Sequence, residues 1–382
     1  MKNISFYNLK DDEMPIGCWW GPYDICQDGY PYFLDDYYFE LLKESKINFI
    51  SAIPNNIFSH KDIVKKSLDL ALKYNVSYFV NDPEFKNHDK DTIKNNLDLY
   101  INHPACSGVH VLDEPEKSLF DELKKSAELY FKLDISNKPL YINLLPIYGR
   151  FGDDISRKEV YKDYVESFLK EFKPQMLSFD YYCFKKREYE YGRIKLFFDN
   201  LSIIRECSLK YNVPFWSFVQ AGGNFALESN QNAQVSYEYP NYPMLLWNVN
   251  ANLLYGAKCI QYFTFLQPKS FAIANGELNP RTMGMIGLDG KKNVWFDYVK
   301  VCNEWIMEID EYLMPSINLG ITPIGNISKT LIEGIELIEL NSNIFKSVQG
   351  SELLIGSFKY YDKDLFFILN KKSLPIYNFI KK

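Results

Sequence analysis

The chain has 382 residues, with 43 Lys and Arg against 49 Asp and Glu, for a net charge of −6 at pH 7. That balance excludes a broad electrostatic footprint for nucleic acid or for an anionic membrane, and the chain has no basic stripe or lysine-rich tail. With only four histidines and seven scattered cysteines without a CxxC pair, no metal site, disulfide framework or cofactor is expected.

No apolar run approaches the ~20 residues of a membrane span, and residues 1–17 lack the apolar centre of a signal peptide. A cytoplasmic location is expected for the chain as it stands, or a secreted or surface one where a leader has been removed. Short apolar runs at residues 16–23, 47–54, 76–82, 106–113, 140–146, 176–182, 214–220 and 259–265 read as strands. Between and after them, residues 37–45, 61–74, 91–103, 119–133, 157–172, 195–211, 244–255 and 295–313 carry charge and apolar residues at helical spacing. The third helix must stop at His103-Pro104, because the residue before proline is pushed out of the helical region.

Eight strands alternating with eight helices predict a parallel sheet. No GxGxxG or phosphate-binding turn follows the first strand, which favours a closed (β/α)8 TIM barrel over an open doubly wound sheet. After about Pro315 the pattern changes to short alternating segments, at residues 330–339, 352–361 and 365–370. The predicted organisation is therefore a barrel over residues 1–316 and a small C-terminal all-β domain over 317–382, too short to stand without packing on the barrel.

In such a barrel the chemistry sits where the strands end. The first strand ends at Trp19-Trp20, the fourth at Asp113-Glu114-Pro115 and the sixth at Asp180-Tyr181-Tyr182. Asn143 lies on the fifth strand, Gln220 ends the seventh, and the eighth carries Gln261 and Tyr262. Adjacent carboxylates delivered by an apolar strand and stopped by proline suit glycosidic cleavage, which needs a proton donor for the leaving oxygen and a second group for the oxocarbenium-like centre. Crowding of acids raises a pKa, so one carboxyl can stay protonated near neutrality. The competing reading is a helix-capping Asp113 beside a solvated Glu114.

Asp180 reads equally as a catalytic group or as a structural acceptor for backbone amides. Trp19, Trp20, Tyr182 and Tyr262 are candidate platforms for apolar sugar faces, and Asn143 and Gln220 are candidate hydroxyl binders. If the fourth strand stays regular, His110 faces the same side as Glu114, although a core histidine is the plainer reading. The segments at Asp82-Pro83-Glu84 and Asp153-Asp154 read as solvated loops.

The segment ending Leu112-Asp113-Glu114-Pro115 resembles the strand-four motif of barrel β-N-acetylgalactosaminidases that use an adjacent Asp-Glu pair. Residues 141–146, 177–182 and 255–264 are similar to segments of bacterial β-galactosidase-like barrel proteins. The resemblance implies a glycoside hydrolase with Glu114 as general acid/base, acting on an oligosaccharide or glycoside and on neither nucleic acid nor membrane. It also exposes a departure. The β-galactosidase clan places a nucleophilic Glu at the end of strand seven, where this chain has Gln220, and an amide cannot be that nucleophile.

Three readings of the second catalytic group follow. Asp113 orients the acetamido group of a substrate that supplies its own nucleophile; or Glu114 works with Asp180 across the mouth; or Glu228 or Glu238 enters from the long segment after strand seven. The alternative from another class is a non-catalytic carbohydrate-binding protein on a degenerate barrel, and a metal-dependent aldolase or isomerase is disfavoured by the scarcity of histidine.

Overall fold

In the computed structural model, residues 4–23, 32–52, 61–82, 89–133, 138–149, 151, 156–184, 190–223, 239–268, 273–274, 277–278, 284–325, 345, 347–348 and 352–370 are described. Eight parallel strands close into a barrel in sequence order, β8 pairing back onto β1. They are β1 (Ile16–Trp19), β2 (Phe49–Ala52), β3 (Ser77–Asn81), β4 (Cys106–Asp113), β5 (Leu140–Leu144), β6 (Leu177–Asp180), β7 (Phe215–Gln220) and β8 (Ile260–Phe263). Each lies inside its expected apolar run.

The helices α1 (Asp36–Glu44), α2 (Lys61–Lys73), α3 (Lys90–Tyr100), α4 (Phe120–Leu133), α5 (Arg157–Glu171), α6 (Glu190–Tyr211), α7 (Tyr242–Leu254) and α8 (Val294–Leu313) alternate with them. Side-chain caps fix several starts: Asp35 accepts from the Tyr37 amide, Asp89 from that of Asp91 and Asn241 from that of Met244. No helix among the described residues is long and apolar enough to cross a membrane. The six described cysteines are free and buried.

Strand alternation sorts the side chains into two cores. Residues such as Ile50, Val80, Val109, Ile142, Phe179, Val219 and Tyr262 pack outward under the helices. Phe49, Phe79, Tyr141, Trp216 and Phe218 fill the barrel interior with Trp19, and Phe6 plugs its foot, its ring stacked 6.0 Å from that of Trp216. This interior is aromatic where such barrels usually carry branched aliphatics. Glycines make the room: a Cβ on Gly17 would lie 2.2 Å from the Phe49 ring, and one on Gly108 would lie 2.4 Å from the Phe79 ring.

Beyond α8, β11 (Ile317–Gly325), β12 (Glu352–Tyr360) and β13 (Lys363–Asn370) form an antiparallel sheet, while β9 (Ile273–Ala274) and β10 (Glu277–Leu278) make a small hairpin earlier in the chain. The sheet is fastened to the barrel by buried polar contacts. Arg205 on α6 donates through Nε to Asn318 Oδ1 at 2.5 Å, and Asn318 Nδ2 donates to the Leu254 carbonyl at 2.8 Å. The expected strand at 330–339 lies outside the described residues, and β11 occupies a stretch that the pattern left as the start of the new domain.

Candidate active site

Two adjacent carboxylates leave the barrel where β4 ends. Regular alternation would put His110, Leu112 and Glu114 on one side. The ladder to β5 instead sets His110 opposite Tyr141, Leu112 opposite Ile142 and Asp113 opposite Asn143, with an irregularity between His110 and Leu112. This bulge sends Leu112 toward the helix layer and brings Asp113 beside Asn143, the re-aiming that bulges perform next to active sites. His110 stays below, edge-on to Trp19 with ring centroids 5.1 Å apart, as a core histidine.

Glu114 follows with φ at 46°, in the left-handed region that non-glycine residues seldom occupy, least of all before proline. Two contacts hold it there. Its N–H donates to the Asn143 carbonyl at 2.8 Å, and the Pro115 carbonyl accepts from the Tyr164 hydroxyl at 2.7 Å. Backbone held in a sparsely populated conformation is often found at functional sites.

The carboxyl groups of Glu114 and Asp180 are in hydrogen-bond contact. The Asn143 amide bridges the neighbouring pair, Nδ2 donating to Asp180 Oδ1 at 2.9 Å and to Asp113 Oδ1 at 3.3 Å. Asp180 is enclosed, only 3% exposed, whereas Asp113 and Glu114 are exposed to water at the end of β4.

Burial pushes the Asp113 carboxyl up to about 7, Glu114 beside it adds to the rise, and the Asn143 amide opposes it. Burial raises Glu114 as well, while its contact with Asp180 pulls the other way. Asp180 is raised well above the usual carboxylate range, first by burial and then by the two facing carboxyls. Like charges this close do not all ionise, so the contact between Glu114 and Asp180 retains a proton near neutrality.

An aromatic wall stands beside the acids. The half-buried rings of Tyr182 and Phe263 have centroids 5.4 Å apart, and Phe263 and Trp20 5.8 Å. Burial and the nearby Asp180 carboxyl keep the Tyr182 phenol protonated far above neutrality, leaving it a donor. The Arg193 guanidinium lies 3.6 Å from the Tyr148 ring centroid and donates through Nε and Nη2 to the Tyr182 carbonyl at 3.1 and 2.9 Å, which fixes the segment after β6.

Not every expected residue takes its expected place. Tyr262 points away from the mouth: its hydroxyl donates to Asn303 Oδ1 on α8 at 2.7 Å, and Phe263, one residue on, holds the rim. Trp19 is a floor residue of the interior, 9% exposed, and Trp20 is the rim member of that pair. Asn143 reaches the site, but both of its amide protons are taken by carboxylates, which leaves none for a sugar hydroxyl.

Gln220 is fully enclosed. Its Oε1 accepts from the Phe184 amide at 3.2 Å, and its Nε2 donates to the carbonyls of Phe184 and Gly222 at 3.3 and 3.0 Å, so it ties two loops together and does not face a ligand. Asp82 is buried and accepts from the Tyr100 hydroxyl at 2.9 Å. Glu84, Asp153, Asp154, Glu228 and Glu238 lie outside the described residues. A cavity of about 840 Å3 opens at the foot of the barrel, between Ile4, Cys106, Lys138, Gln175 and Pro214, at the opposite end from the carboxylates.

Residues that sequence reasoning passed over are Phe263, Tyr148, Arg193 and Ser178. Ser178 was legible only as a polar interruption in an apolar run, and such an interruption in a barrel strand is the signal that could have found it.

No protein-family model and no curated protein matches the sequence. Among solved structures, the chain is similar to a β-galactosidase from the psychrophilic Marinomonas ef1, with a TM-score of 0.54 and 10% identity over 79% of this chain and 62% of that one. It is also similar to a Bifidobacterium dentium β-glucuronidase complexed with coumarin-3-O-glucuronide, with a TM-score of 0.52 and 12% identity over 76% and 46%. A GH99 endo-α-mannosidase from Bacteroides thetaiotaomicron has a TM-score of 0.50 and 14% identity over 78% and 97%.

The fold is the closed (β/α)8 barrel that these solved structures share. The chain spans under two thirds of the galactosidase and under half of the glucuronidase, and identities this low carry architecture without chemistry.

Proposed function

We propose that the chain is a glycoside hydrolase acting on 2-acetamido sugars, with Glu114 as general acid/base and Asp113 orienting the substrate's own acetamido nucleophile. The observation that carries this reading is the direct contact between the Glu114 and Asp180 carboxyls. Retaining enzymes hold their two carboxyls about 5–5.5 Å apart around the sugar, and inverting ones about 6.5–9.5 Å apart with room for water. Acids that touch leave no space for either arrangement. They suit one shared proton, delivered from the member open to water.

In the first step the shared proton passes through Glu114 to the glycosidic oxygen. The acetamido carbonyl oxygen bonds to C1, the C1–O bond breaks, and the alcohol leaves with the proton. The Asp113 carboxylate accepts the N–H of the resulting oxazolinium ring, whose positive charge it offsets. Water then attacks C1, its proton returns to Glu114, and the acetamido group is regenerated. Tyr182, Phe263 and Trp20 supply the apolar wall for the sugar face.

The test compares aryl 2-acetamido-glycosides with their 2-hydroxy counterparts and adds a thiazoline mimic of the bicyclic intermediate as inhibitor. Turnover confined to the acetamido series, with inhibition by the thiazoline, is the expected result. Cleavage of the 2-hydroxy series at equal rate overturns the substrate-assisted step. Sugar binding without turnover of any glycoside would make the chain a carbohydrate-binding barrel, the alternative favoured by the amide at position 220.

A further inference from the structure

The Asn143 amide has two faces, and the two present opposite chemistry to the carboxyl groups. With Nδ2 toward Asp113 and Asp180 it offers two N–H donors that favour charged carboxylates; turned over, it would offer a carbonyl oxygen that only a protonated acid can meet. What decides the sense of the amide therefore helps to set which acid holds a proton.

That decision is made below the site, inside the barrel. Ser178 on β6 donates its hydroxyl proton to Asn143 Oδ1 at 3.0 Å. Gln261 on β8 donates through Nε2 to Ser178 Oγ at 3.2 Å, and the Tyr141 hydroxyl on β5 lies 2.9 Å from Ser178 Oγ and 3.1 Å from Gln261 Oε1. All three are completely enclosed, so no water can replace a lost partner. Gln261 Nε2 fills one lone pair of Ser178, and where the Tyr141 hydroxyl donates to Ser178 it fills the other, which leaves Ser178 only its own proton to offer Asn143. An amide turned over would bring N–H against that O–H.

We propose that Ser178, held by Tyr141 and Gln261, is a positioning residue that locks the Asn143 amide with both of its N–H bonds on the Asp113 and Asp180 carboxyls. None of the three touches the reacting groups. They act from one layer down, and the four side chains come from β5, β6 and β8, so the barrel's closure itself transmits the constraint. The catalytic importance of this lock rests on the proposed hydrolase reading, but its existence does not, and a titration separates the two.

The experiment follows the side-chain carboxyl resonances of 13C-labelled aspartate in the whole protein from pH 4 to 9, with Asp113 identified by its loss in Asp113→Asn. In Ser178→Ala the amide loses its lock, and the Asp113 transition is expected to move up from about 7 by about one pH unit as an N–H donor is exchanged for an oxygen. Ser178→Thr keeps the hydroxyl and should restore the original transition. Tyr141→Phe keeps Ser178 but loosens it, and should move the transition in the same direction by less.

An unmoved Asp113 transition in Ser178→Ala overturns the proposal. So does an equal shift in Ser178→Ala and Ser178→Thr, which would indicate repacking of the interior. Should Ser178→Ala fail to fold, Tyr141→Phe decides: a smaller upward shift supports the lock, and an unchanged transition overturns it. Activity enters none of these outcomes, so failure of the hydrolase reading would be seen separately, in the glycoside panel.

Discussion

Asp113→Asn removes a charge that its surroundings disfavour, and the fold should gain from it. The Asp113 carboxyl titrates near 7 in place of the usual 3.8, because burial and the adjoining Glu114 both disfavour its ionised form. The folded protein thus holds this proton more tightly than the unfolded chain does. The stability belonging to neutral Asp113 is complete below about pH 4, drains away as the pH climbs through 7, and is absent above that.

For a fully enclosed group that difference would correspond to about 4 kcal/mol at 1.36 kcal/mol per unit. Asp113 is exposed, and screening by water reduces the figure to about 1–2 kcal/mol. Asparagine keeps an acceptor for the Asn143 amide and cannot ionise. Thermal unfolding followed from pH 4 to 8.5 should therefore show the variant and the parent melting together at pH 4 and separating above it. The variant should melt about 1–3 °C higher at pH 8. A difference that stays constant with pH, or a variant less stable at pH 8, would refute the placement of Asp113 among acids that crowd one another.

Gly108→Ala should cost about 1–3 kcal/mol or prevent folding, because the new methyl would lie 2.4 Å from the Phe79 ring and 2.5 Å from the Pro139 carbonyl oxygen; soluble yield and melting temperature report it. Gln220→Glu should lose about 3–5 kcal/mol of stability and gain no activity, since a carboxylate there would face the carbonyls of Phe184 and Gly222; a rise in turnover would show that the site tolerates a strand-seven nucleophile. Phe263→Ala should raise KM for aryl glycosides at least tenfold, whereas Tyr262→Phe, which alters only the bond to Asn303 behind the barrel wall, should leave KM unchanged; steady-state kinetics on both variants distinguishes rim from core.

The barrel was legible because each strand is a short apolar run bounded by turn residues, and each helix shows its period over two turns or more. β11 was not, because Gly320 and Pro323 interrupt its alternation and its partner β12 comes 27 residues after its own end. The mouth was legible as a set of strand ends, and Asp113, Glu114 and Asp180 do converge there. What escaped was facing. Tyr262 and Phe263 are both aromatic, so composition cannot say which turns inward, and the bulge within β4 leaves no mark that its sequence alone reveals. Partnering escaped too: Asn143 and Gln220 look alike as polar strand residues, yet one bridges acids and the other staples loops, and only the positions of neighbours distant in sequence distinguish them.

The most direct test of Glu114 as proton donor measures kcat/KM on aryl 2-acetamido-glycosides of increasing leaving-group pKa, for the parent and for Glu114→Gln. The variant should fall behind by about 10²–10⁴-fold on the poorest leaving groups, which need a proton to depart, and approach the parent on the best, which do not. An equal loss across the series, or none, would contradict a donor at the end of β4.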